Sequence, residues 1–427
     1  MSELQAFGFP SEEIAHRARV GIADAFPPVS AYGQAVFGQS GQPAEGAADL
    51  LDRARLVPPV FLPQRLEKLI ELGREPLPSD VDLVTVIGGF RSTMPMYLSA
   101  FGSTRLGSSE LGIAASRQAG AAGIPMVIGE NVVPVNGYRR DDAGVVSTLL
   151  ARLHAYSDEV ADATGGVVVQ QSTEDADAEV WNLVYSDPAV EPLLASGRLG
   201  FELKVGQGAK PGLGGLTVLD RAAASRVGNQ YELADIFAEA GVLRSGSPGT
   251  FTEEILRQQI RLMRNNFPRV RVWVKLYPGR DVAEAAQVAW AAGADAVTVD
   301  GAEAGSGWAP KAFLEHVGLP LGECLARIGS PSGCLLASGR MWEGARTVKA
   351  LALGATAVGL GRAALLAVDA DPHDGLRRLL DCLAFEARHL ISALGKYTGA
   401  AVNADDVWWP DRPSVVAGEL PLTIEVC

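Results

Sequence analysis

Residues 201–215 read FELKVGQGAKPGLGG. A strand-like apolar run opens there into a loop with five glycines, one proline and two lysines, Lys204 and Lys210. Glycines let a backbone approach a ligand closely and adopt positive φ without steric cost. Two lysines beside exposed amides form a cationic cradle suited to an anion. A long surface loop with incidental lysines is the plainer reading. Against it, the run follows a strand, and similar joints recur at the ends of other strand-like runs.

Those other ends carry the rest of the candidate chemistry. One run ends in Glu130-Asn131, another in Gln170-Gln171-Ser172, and a third, VWVKL, contains Lys275. Asp300-Gly301, Gly339-Arg340 and Gly361-Arg362 close three more. A lone Gly-Arg pair is most simply a helix cap or turn. Two of them, each leading into a helix start, offer amides and guanidinium groups for a phosphate. Lys275 sits inside an apolar strand, where a lysine is rarely left unpaired. It is either a buried ion pair, with Asp300 as its partner, or a cation facing the N1–C2=O edge of a flavin. The loop GAEAGSGWAP after Asp300 fits a solvated turn or a wall pressed against a planar ligand.

The elements that must position these residues recur along the chain. Short apolar runs occupy 96–102, 125–130, 166–172, 201–207, 272–279, 296–301, 334–340 and 357–362, with Ala-rich helical stretches between them. Continuous apolar strands alternating with helices indicate a parallel sheet covered on both faces. Eight such units match the size of a (β/α)₈ barrel, and a doubly wound open sheet is the alternative. In a barrel, function gathers at the C-terminal ends of the strands. The expected organisation is an N-terminal helical extension (1–90), a barrel (91–370) with a long insertion at about 207–270, and a C-terminal helical tail (371–427). The insertion includes a helical piece at YELADIFAEAG (231–241).

Composition narrows the function classes. The 427 residues are 48% hydrophobic with a net charge of −13, so no basic stripe is available to neutralise nucleic-acid phosphates. The four cysteines, at 324, 334, 382 and 427, show neither metal-site nor disulfide spacing. The five histidines lie away from the strand ends and give no metal constellation. The start of the chain has no signal-peptide pattern, and the apolar stretch 350–368 is broken by Arg362 and glycines, which suits a buried helix and strand better than a membrane span. A cytoplasmic protein without nucleic-acid or membrane partners is expected.

With these motifs in hand, the chain resembles the FMN-dependent synthase domain of glutamate synthases. KVGQGAKPGLGG is similar to that family's K-x-x-Q-G-A-K-P-G-E-G-G signature. In the same order, VIGG at Ile87, FGSTRLGSSE, IGEN, VKL, DGAEAGSGWAP and HVGLPLGECLARI resemble further family segments, across roughly residues 60 to 400. The resemblance implies a (β/α)₈ barrel holding FMN. It implies that Lys204, Glu130 and Arg244 lie near a carboxylate-bearing keto-acid or imino-acid substrate. Gln171, Lys210, Lys275, Asp300 and Gly301 would lie around the flavin, and Gly339, Arg340, Gly361 and Arg362 near its phosphate. Hydride transfer at a C–N bond is the implied reaction.

Departures from the family are as specific. An amidotransferase domain is not recognised in the chain. The segment LLAVDADPHDG holds no cysteine where the family ligates a [3Fe–4S] cluster. Leu213 and Leu216 replace an acidic residue and a glutamine, and GSPGTFTEE stands for a longer Pro- and His-rich segment. Electrons would then come from or go to NAD(P)H, a partner reductase or O₂. The rival reading is a catalytically altered barrel subunit that binds FMN or a small anion for a partner complex.

Overall fold

The computed structural model describes residues 4, 6–22, 49–61, 74–101, 110–129, 143–161, 163–171, 180–219, 221–227, 231–235, 242–246, 252–304, 313 and 316–410. Eight strands close into a parallel barrel. They are β1 (Met96–Phe101), β2 (Met126–Ile128), β3 (Val167–Gln171), β4 (Leu199–Lys204), β5 (Arg271–Leu276), β6 (Ala296–Asp300), β7 (Cys334–Ser338) and β8 (Ala357–Leu360). Each overlaps one of the eight apolar runs; β4 begins at Leu199 and β5 at Arg271, just before the runs at 201–207 and 272–279. The architecture is a (β/α)₈ barrel, and the open-sheet alternative is excluded by β8 pairing with β1, Val358 opposite Met96.

Side chains alternate across each strand. The outward set packs beneath the helices, as Leu98, Ile128, Val169 and Phe201 do. The inward set divides by height. Tyr97, Val168, Trp273 and Leu336 form an apolar layer with Ile87 and Phe90 of the hairpin Thr85–Ile87/Phe90–Ser92. That hairpin seals the N-terminal end of the barrel. Removing Ile87 and Phe90 from water contributes about 1.5–3 kcal/mol each. Its turn requires Gly88, at φ 53°, because a Cβ there would lie 2.3 Å from the indole nitrogen of Trp273. The same indole donates to the Gly88 carbonyl at 3.1 Å. Above this layer the interior turns polar, with Gln170, Glu202, Lys275, Thr298 and Asp300 all buried.

Outside the barrel, the helix Ser11–Val20 packs on the helices Arg362–Ala370 and Gly375–Ala393. Between β4 and β5 the chain forms a three-stranded antiparallel sheet of Leu216–Leu219, Val242–Ser245 and Glu232–Ala234. The helical expectation for 231–241 fails over its first residues. Glu232–Ala234 pairs in register with Val242–Ser245, and cross-strand contacts override the local helix preference of ELA. Residues 236–241 lie outside the described residues. Among the described residues no helix is long and apolar enough to cross a membrane.

Candidate active site

At the C-terminal ends of the strands, one pocket brings together Lys275, Asp300, Gly339, Arg340, Gly361 and Arg362. These come from β5, β6 and the turns after β7 and β8, so parallel closure of the sheet assembles residues widely separated in sequence. Ser99, Ala100 and Phe101 of β1 complete the barrel side. Ser99 and Ser338 share a hydrogen bond of 3.2 Å across the pocket floor.

Lys275 and Asp300 form an ion pair, Nζ to Oδ2 at 3.1 Å, with both side chains buried. The same Oδ2 accepts from the amide of Gly208 at 3.1 Å, which ties the glycine-rich loop to the end of β6. Gly208 is required by close approach, since a Cβ would lie 2.1 Å from the Gly301 carbonyl oxygen. Asp300 Oδ1 is buried and, among the described residues, has no hydrogen-bond partner. Beneath it, Gln170 Nε2 and Thr298 Oγ1 donate to the two oxygens of Glu202 at 2.5 and 3.0 Å. Burial pushes the Glu202 carboxyl up, while Lys275 and these two donors oppose the shift.

The phosphate-like end is built from arginines. Arg362 Nη2 donates to the Glu303 carbonyl at 2.6 Å, and its guanidinium lies 4.5 Å from the Phe9 ring centroid. Burial, and then the neighbouring cation of Arg340, lowers its pKa. Arg362 opens a nine-residue helix whose N-cap is Gly361. Among the described residues, a Cβ at Gly361 would meet nothing within 4 Å, so there is open space beside the start of this helix. Arg340, at φ 51°, pairs with Asp52 at 3.0 Å.

Behind the arginines lies a cluster not anticipated from the sequence. Arg346, 2% exposed, holds Asp49, Asp52 (2.6 Å) and Glu303 (2.6 Å), and its Nε donates to the Gly339 carbonyl at 3.0 Å. Asp49 and Asp52 arrive from the short helix Leu50–Arg53 and its N-cap, clipping the N-terminal segment to the pocket rim. Three carboxylates around Arg346 and Arg340 carry one negative charge too many. Burial, and then Asp49, push the Glu303 carboxyl up to about 8.

Of the remaining expected residues, those described are not among the pocket's described lining residues. Lys204, opposite Lys275 in register, donates to Gln207 Oε1 at 2.8 Å. Gln171 is buried opposite Leu203, and its Oε1 has no hydrogen-bond partner among the described residues. Lys210 is half-buried on the glycine-rich loop, and Gly301 donates its amide to the Ser338 carbonyl at 2.9 Å. Arg244 lies in the antiparallel sheet with its guanidinium 4.3 Å from the Tyr231 ring centroid. Glu130 lies outside the described residues.

The residues present fit a phosphorylated, hydrogen-bonding planar group such as FMN. Two neighbouring half-buried arginines and the start of the Arg362–Ala370 helix suit a phosphate. The orphan Asp300 Oδ1 offers an acceptor beside the Lys275 cation.

Comparison with known proteins agrees with this geometry. Residues 165–373 match the family model described as the conserved region in glutamate synthase. An archaeal-type glutamate synthase [NADPH] of Dehalococcoides mccartyi is 34% identical over 186 residues, 41% of this chain and 36% of that protein. A glutamate synthase large subunit-like protein of Rhizobium meliloti is 35% identical over 181 residues, 40% of each chain. The matches thus span less than half of these relatives. Among solved structures, a soluble mutant of (S)-mandelate dehydrogenase from Pseudomonas putida shares the fold, with TM-score 0.54 at 19% identity over 94% of this chain and 99% of that one. Residues 165–373, which supply β3 to β8, are therefore similar to the conserved region of glutamate synthase, and they lie in a (β/α)₈ barrel.

Proposed function

We propose that this barrel binds FMN at the C-terminal ends of its strands and acts as an oxidoreductase at a C–N bond. The supporting observation is the convergence of the Lys275–Asp300 pair with Arg340 and Arg362 on one pocket, largely within the segment that matches glutamate synthase. When bound, FMN supplies two-electron chemistry between a reduced nicotinamide, the donor named for the archaeal-type relatives, and the C=N carbon of an imino acid.

The chain's own residues bind and orient. Arg340, Arg362 and the amide end at Gly361 hold the phosphate. Lys275 places its ammonium at the pocket wall, 3.1 Å from Asp300. Asp300 Oδ1 accepts from an N–H of the ligand and fixes its orientation, and Gln171 supports the adjoining wall. On the substrate side, Lys204 and Arg244 are assigned to a carboxylate, with Glu130 directing the substrate nitrogen. Gly208 pins the loop that follows Lys204 and carries Lys210 against β6, so the cationic loop and the pocket share a wall.

The test has two stages. First, apo-protein is incubated with FMN and passed through gel filtration. Co-elution of stoichiometric flavin supports the reading, and flavin-free protein at saturating FMN rejects it. Second, a 2-oxo acid plus ammonia is supplied with NADPH, and amino-acid formation is measured. Flavin binding with no turnover across a panel of 2-oxo acids favours the non-catalytic subunit reading instead.

A further inference from the structure

The phosphate end of the pocket is not closed by the barrel alone. Phe9, ahead of the helix Ser11–Val20, lines it together with Met341 and Leu365, and is only 9% exposed. Its ring covers the guanidinium of Arg362 at 4.5 Å. The segment carrying it is fixed on both sides. Before it, the Leu4 amide donates to Asp369 Oδ2 at 3.3 Å. After it, Arg17 reaches Glu386 at 2.7 Å and the Trp342 carbonyl at 3.3 Å. This ring is therefore a held wall rather than a loose side chain.

The chemistry of that end suits one kind of anion. Two arginines and a helix N-terminus match a terminal phosphate monoester, which carries its charge in one compact group. A pyrophosphate bridge has to continue outward to a further nucleoside. Phe9, Met341 and Leu365 line this pocket with apolar side chains, which offer nothing to a second phosphate.

We propose that Phe9 is a specificity-determining residue that closes the phosphate end of the pocket, admitting a flavin mononucleotide and rejecting a flavin adenine dinucleotide. The assignment rests on the flavin reading above. Discrimination arises from a built-in clash against the wrong ligand rather than from an added contact to the right one.

The experiment titrates apo-protein with riboflavin, FMN and FAD by fluorescence quenching, for wild type, Phe9→Ala and Phe9→Leu. Wild type is expected to prefer FMN over FAD by about a hundredfold, and Phe9→Ala to cut that ratio by about tenfold through tighter FAD binding. Phe9→Leu keeps the wall apolar and bulky and is expected to retain most of the ratio. A thermal melt of each variant separates loss of fold from loss of selectivity. Equal wild-type affinities for FMN and FAD, or a ratio unchanged in Phe9→Ala, overturns the assignment of Phe9 while leaving FMN binding intact. Failure of all three flavins to bind wild type overturns the flavin reading itself, and the assignment with it.

Discussion

Lys275 and Asp300 face each other from neighbouring strands at the wall of the pocket, with Nζ and Oδ2 3.1 Å apart and neither side chain more than 7% exposed. The pair is both a structural element of the upper barrel and the charge centre of the proposed flavin site. Removing one partner leaves a buried charge without its counter-ion. Lys275→Met is expected to destabilise the fold by about 3–5 kcal/mol. Adding Asp300→Asn should recover part of that loss. Urea unfolding of the two single variants and the double variant measures the coupling, and strictly additive losses would show that the pair is not a unit.

At the phosphate end, Arg362→Ala is expected to weaken FMN binding by roughly ten- to a hundredfold, the range of a hydrogen bond to a charged group at about 1.5–3 kcal/mol. Riboflavin, which has no phosphate, should lose much less. Equal losses for both ligands would place the phosphate elsewhere.

Glu303 makes stability depend on pH. Its carboxyl is raised from an ordinary 4.5 to about 8 in the folded chain. Between those values the unfolded chain releases the proton while the folded chain retains it. The contribution of Glu303 is therefore fully present below about pH 4.5, declines as pH rises, and is lost above about pH 8. Unfolding midpoints of wild type and Glu303→Gln, measured from pH 5 to 9 in steps of about one unit, should converge at the acidic end and diverge at the alkaline end. A parallel pair of curves would show that Glu303 is ionised throughout.

The hairpin at the other end of the barrel gives a purely structural prediction. Gly88→Ala places a methyl 2.3–2.6 Å from three atoms of the Trp273 indole, at φ 53°. Overpacking and strain should each cost about 1–3 kcal/mol. A shifted Trp emission maximum together with a lowered unfolding midpoint would report it, and unchanged emission would indicate that the hairpin does not seat on Trp273.

The barrel was legible because its strands are buried on both faces and so read as unbroken apolar runs, each followed by a helix. The pairing of Lys275 with Asp300 was foreseeable for a similar reason, since a lysine within VWVKL needs a counter-charge and Asp300 ends the neighbouring strand. The Arg346 cluster was not. Asp49 and Asp52 look like an ordinary helix cap, and Arg346 like one more basic residue on a helix, 297 positions from Asp49. Nothing local connects them, and the apolar segment holding Phe9 gives no sign of its destination. Glu232–Ala234 misled because three residues are too few for a period to show, and the partner strand decides.

The pocket straddles the seam where the barrel closes. Ser99, Ala100 and Phe101 belong to the first strand, and Gly359, Gly361 and Arg362 to the last strand and the turn after it. These two strands meet only after the entire intervening sequence has been synthesised and threaded into place, the slowest class of contact for a chain to form. A small molecule seated there touches both and acts as a staple on the join. Binding of the proposed flavin would then stabilise the closed barrel over the open chain by mass action, in step with ligand concentration relative to its Kd.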